Sequence, residues 1–146
     1  MMENPGSSRE MFVRVHDLAA ESPGPPVIRL ANLILEEFLR AGAEQLSLTQ
    51  GEGDYSPVRF LIEGQWRDVM KIPVPAAAPL MNRYKVMANL DIARRPAQRG
   101  QLHVRLAGTE YVLRITSTIP SPACEELVVA FPETDASTTT PRGTDR

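Results

Sequence analysis

Few side chains in this 146-residue chain could do chemistry: two histidines, His16 and His103, one cysteine, Cys124, and two lysines, Lys71 and Lys85. A metal centre needs ligands at short, regular spacing, and no Cys or His lies at such a spacing from either histidine. A Walker loop needs a glycine before its lysine, so that backbone amides and the ammonium hold phosphates together. Lys71 follows Met70 and Lys85 follows Tyr84, which excludes that loop. Cys124 has no activating sequence context, and a small buried thiol is its ordinary reading. The neighbouring carboxylates Glu36/Glu37 and Glu125/Glu126 make no acid/base dyad. The first pair rides a helix, and the second opens a strand, where neighbours face opposite sides. Glycine-rich dinucleotide loops are absent as well. The expectation is a non-enzyme with no catalytic residue, no metal and no cofactor.

What remains is charge. The net charge is -2, yet the window from Arg83 to Arg105 holds Arg83, Lys85, Arg94, Arg95, Arg99 and Arg105 against Asp91 alone, so it carries +5. Guanidinium groups at Arg83, Arg94, Arg95 and Arg99 suit bidentate contacts with carboxylates or phosphates. These four are the candidate partner-binding or phosphate-binding residues. A solvated basic face explains the same run about equally well. The acidic remainder of the chain gives no reason to expect nucleic acid as a partner.

These residues must be positioned by the elements around them. Thirteen prolines, roughly twice the average share of about 5%, punctuate the chain. Pro26 suits a first helical position, where a missing amide hydrogen costs nothing. Val27, Leu30, Ala31, Ile34, Leu35 and Phe38 then form a one-faced stripe that Gly42 stops. Glu44 to Thr49 reads as a short strand. Val58, Phe60 and Ile62 alternate into a tight turn at Glu63-Gly64, followed by Trp66 to Ile72. Pro79 opens a second helix to Ala88, and the loop Asp91 to Gly100 carries the arginines. A second hairpin turns at Ala107-Gly108, between Leu102/Val104/Leu106 and Tyr111/Leu113/Ile115, and a last strand runs from Glu126 to Phe131. The order predicts an α+β fold, a mainly antiparallel sheet with helices packed on one face.

The folded unit is expected over residues 26–131. Residues 1–25 read as a flexible arm with room for one short strand, and residues 132–146, without a large apolar side chain, as a disordered tail. No run approaches the ~18 apolar residues of a membrane span, and the start lacks a secretory leader. A cytoplasmic address without membrane insertion is the expectation.

Wording along the chain adds a resemblance. Asn82-Arg83-Tyr84-Lys85-Val86-Met87-Ala88-Asn89-Leu90-Asp91-Ile92-Ala93 is similar to the Ser-Arg-(Ile/Leu)-Lys-Val-Met-Ala-x-Leu-Asp-Ile-Ala string of the type II secretion and type IV pilus assembly ATPases. The helix from Pro26, the hairpin from Arg59 to Val69, Gln98-Arg99-Gly100-Gln101 and Arg114 to Pro120 follow in the family's order. Together they resemble the second N-terminal domain of the general secretory pathway protein E family, without its motor domain. The departures are chemical. The family's Ser-Asp-Ile-His-(Ile/Leu)-Glu strand reads Glu44-Gln45-Leu46-Ser47-Leu48-Thr49, an acidic position is lost in Ala93-Arg94-Arg95-Pro96, and its His-Gly-Glu-(Lys/Arg) reads Ala123-Cys124-Glu125-Glu126.

The resemblance implies a PAS-like shape, with arginines that help complete a nucleotide site held by the motor. Arg83, Arg94 and Arg95 best match those regions. It implies a non-catalytic accessory or regulatory module docking on a protein partner, an assembly ATPase or its platform. The alternative is a nucleotide-sensing or phosphate-ligand module without hydrolysis.

Overall fold

Two left-handed hairpin turns organise the sheet. Glu63 and Gly64 have φ of +52° and +80°, and Ala107 and Gly108 have +54° and +85°. Positive φ at both central residues is the type I′ geometry whose twist matches paired antiparallel strands. The first turn joins β3 (Tyr55–Ile62) to β4 (Gln65–Pro73), and the second joins β5 (Gln98–Leu106) to β6 (Thr109–Ser121). The computed structural model describes residues 14–19, 24–50, 53–93, 97–121 and 124–132. The tail expected to be disordered over 132–146 falls outside these residues apart from Pro132, as do residues 1–13 of the expected arm.

The remaining strands are β1 (Val15–Asp17), β2 (Gln45–Thr49) and β7 (Cys124–Ala130), and the sheet order is β1-β5-β6-β7-β2-β3-β4. Every pairing is antiparallel except that of β1 with β5. β1 arises from the segment read as an arm. It brings His16 and the following Leu18 into the core, both almost fully buried. Arg105 ties this edge down, reaching Glu110 at 2.7 Å and Asp17 at 3.6 Å.

Helix α1 (Pro26–Arg40) keeps the expected start and the expected stripe: Ala31, Ile34, Leu35 and Phe38 are buried. Its end is a Schellman motif. Gly42, at φ +68°, donates to the Leu39 carbonyl at 3.2 Å, and Ala43 donates to that of Phe38 at 3.3 Å.

Helix α2 (Val74–Met87) begins earlier than Pro79. Pro73 takes the N-cap, and Pro75 falls in the first turn, where a missing amide hydrogen is harmless. Three alanines then carry the helix on to Pro79, which lies inside it. The reading that Pro79 starts the helix fails because good helix formers and burial of Ala77 outweigh one missing ladder bond.

Both helices cover the same face of the sheet. Inward positions Leu46, Leu48, Val58, Phe60, Leu102, Val104, Leu113, Ile115, Leu127 and Val129 are buried. Phe38 meets Phe60 edge-on, with ring centroids 5.8 Å apart. The Tyr84 hydroxyl of α2 donates to the Ala31 carbonyl of α1 at 2.8 Å. The fold is therefore α+β, with a mainly antiparallel sheet and its helices on one side. Among the described residues, no helix is long and apolar enough to cross a membrane.

Burial pushes the Tyr84 phenol well above its ordinary value, and the nearby Arg83 charge opposes only part of that rise. An unfolded chain releases this proton near pH 10. The contribution of the neutral phenol is therefore intact below that pH and lost as pH rises above it. In urea unfolding from pH 8 to 11, Tyr84→Phe should remove up to ~1.4 kcal/mol of stability loss per pH unit above pH 10, relative to wild type. Parallel curves for the two proteins would show that the phenol titrates freely.

Candidate interaction site

The string Lys85-Val86-Met87-Ala88-Asn89-Leu90 builds the end of α2 and the start of the arginine loop. Met87 and Ala88 are buried. Asn89 takes φ +61°, which its short polar side chain tolerates better than most. Its amide donates to the Val86 carbonyl at 3.0 Å, and that of Leu90 to Lys85 at 2.8 Å. This is a second Schellman motif, with Asn in the place glycine usually takes.

Lys85 is the deepest charge among the described residues, 3% exposed. Its Nζ pairs with Glu125 Oε2 on β7. The Ser117 hydroxyl of β6 donates to that same oxygen at 2.7 Å. Beside this cluster, on the sheet's other face, Ser47 donates to Glu126 at 3.2 Å. The end of α2 is thereby clamped to β7 by charge, with β6 holding the same carboxylate.

The loop is closed from its far side. Gln98 bridges back to Asp91 twice: its Nε2 donates to the Asp91 carbonyl at 2.9 Å, and its Oε1 accepts from the Asp91 amide at 3.2 Å. The Asp91 carboxylate accepts from the Ala93 amide at 2.9 Å. Gly100 lets β5 pass close beneath. A Cβ there would lie 2.9 Å from Leu90 Cδ2 and 3.1 Å from the Ala88 carbonyl oxygen.

Two of the four candidate arginines, Arg83 and Arg99, lie among the described residues, and they lie in different places. Arg83 is half-buried in the helix layer. Arg99 is exposed and alternates with Gly100 and Leu102, which places it on the bare face of the sheet. Arg94 and Arg95 lie outside the described residues. Sequence reasoning missed the Lys85–Glu125 pair. A lysine inside an otherwise apolar helix end was the available signal, but its partner lies 40 residues on. Among the described residues, no group of His, Cys, Asp and Glu could hold a metal ion.

Comparison with known proteins identifies what this frame belongs to. The model of the type II/IV secretion system protein family matches residues 20–139. The chain belongs to this family. It is similar to type II secretion system protein E of Pseudomonas aeruginosa, 40% identical over 114 residues, covering 77% of this chain and 22% of that protein. It is also similar to the type IV pilus assembly ATPase PilB of the same organism, 33% identical, covering 77% of this chain and 20% of PilB. The chain thus spans only about a fifth of the length of these relatives. Among solved structures, the ATPase DotB of Legionella pneumophila aligns over 83% of this chain and 33% of its own. A TM-score of 0.45 at 12% identity is too slight a likeness to bear an argument. Within this secretion-family chain, Lys85 and Glu125 are the two halves of one buried ion pair. Most of the Glu44–Thr49 stretch forms the interior strand β2, between β7 and β3.

Proposed function

We propose that this chain acts as a non-catalytic interaction module of a secretion or pilus assembly machine, docking on a protein partner such as the assembly ATPase or its platform. One observation carries the reading: the arginine loop is held in a fixed frame at both ends. The Schellman turn and the Lys85–Glu125 pair fix its entry, and the Gln98 bridge and the Gly100 contact fix its exit. Anchored ends lower the ordering cost that a partner contact with the segment between them has to meet. The two lysines of the chain, neither following a glycine, give it no phosphate cradle, and no ATP turnover is expected of it.

The test is a pull-down of a purified assembly ATPase by the full chain and by Arg94→Glu/Arg95→Glu and Arg99→Glu variants. Charge reversal should weaken binding by about tenfold or more and remove much of its salt sensitivity, with the circular dichroism spectrum unchanged. Equal recovery by wild type and variants, or no recovery by wild type, would overturn the proposal. A nucleotide that binds the isolated chain through the same arginines would instead favour a phosphate-ligand module.

A further inference from the structure

The solvent face of α1 has a charge pattern that matches its own reverse. Arg29, Leu33, Glu37 and Arg40 are exposed along it, and Leu33 leaves 44% of its surface in water. Arg40 is already paired with Glu36 at 2.8 Å on the same helix. The pattern around Leu33 is then set by Arg29 four residues before it and Glu37 four residues after. Beside this face runs an apolar groove of about 390 Å³ whose lining includes Leu33, Ile34, Phe60, Val69 and Met70. A β-bulge where β3 passes from Val58 to Arg59 leaves Val69 without a cross-strand partner. It sits with Met70 on the groove and is 42% exposed.

From this we infer that the α1 face is a docking surface for a second copy of the chain, in which the two α1 helices pack antiparallel about a two-fold axis at Leu33. Residues four positions from the axis lie ~6 Å along the helix on either side. Arg29 of each copy then comes level with Glu37 of the other, and the two Leu33 side chains meet at the groove lip. A parallel pairing would set Arg29 against Arg29 and Glu37 against Glu37. Residues 133–146 offer the groove no large apolar side chain. Edge pairing through β4 is disfavoured on physical grounds, since its bulge and the charges of Arg67, Asp68 and Lys71 blunt that edge. One helix face is smaller than the ~800 Å² per partner of a standard interface. The dimer is therefore weak, with its orientation set by the two charge pairs.

The test is sedimentation velocity of the full chain at low salt, from about 10 to about 500 μM. Wild type should pass from monomer to dimer across that range. Arg29→Glu and Glu37→Arg, each placing like charges level at both ends, should each weaken dimerisation about tenfold or more. An equimolar mixture of the two variants should recover it. At one end the glutamate introduced in the first variant faces the arginine introduced in the second, while at the opposite end the original pair survives. Wild type that stays monomeric throughout would overturn the inference. So would single variants that dimerise as well as wild type, or a mixture of folded variants that stays monomeric.

Discussion

Lys85→Met should destabilise the fold by about 3–5 kcal/mol, the usual cost of removing one partner from a buried ion pair. Methionine keeps most of the aliphatic stem, so little of that loss comes from packing. The loss arises because Glu125, 12% exposed, keeps its charge after its ammonium partner is gone, with the Ser117 hydroxyl still donating to it. Glu125→Gln leaves an ammonium with a neutral partner and should cost a comparable amount. The double variant Lys85→Met/Glu125→Leu removes both charges, and replacing a buried pair by apolar groups is often close to neutral. It should recover most of the loss. Urea unfolding of the four proteins at pH 7 gives the cycle. Additive losses in the double variant would mean that the two charges do not act as a pair.

That pair also shows what the sequence could and could not reveal. α1 was legible because its evidence is local: Pro26 at its start, a stripe at helical spacing, and Gly42 just past its end. Both hairpins were legible for the same reason, since Glu63-Gly64 and Ala107-Gly108 sit between alternating runs. The start of α2 was not, because Pro79 is a strong local signal that Ala76 to Ala78 and the burial of Ala77 override. The parallel pairing of β1 with β5 joins His16 to Val104, a separation at which pattern is silent. Lys85 looked like one more member of a basic window until β6 and β7 supplied Ser117 and Glu125. Of the four arginines chosen by charge density, strand alternation sends Arg99 to the face opposite the helix that carries Arg83.

Phe38→Ala should cost about 4 kcal/mol, in the middle of the usual ~3–5 kcal/mol for truncating a buried ring, because two other rings converge on that side chain. Phe38 is fully buried. Its ring meets Phe60 of β3 edge-on, and it stacks on Phe131, just past β7, at 5.7 Å with the planes 24° apart. Pairs of this geometry add about 0.5–1.5 kcal/mol each beyond the area they bury. Phe38 also supplies the carbonyl that ends α1 through the Ala43 amide, so disorder in the emptied site would reach the turn that aims β2. Phe131 is 36% exposed, and Phe131→Ala should cost about 1–2 kcal/mol, chiefly the lost stacking and partial burial. The two losses should be less than additive in the double variant, since the ring contact can be lost only once. Leu33→Ala, on the solvent side of the same helix, is the control and should change stability by less than about 1 kcal/mol in dilute protein. Chemical denaturation of these variants checks the assignment. A Phe38→Ala loss no larger than that of Leu33→Ala would mean that α1 does not turn this face to the sheet.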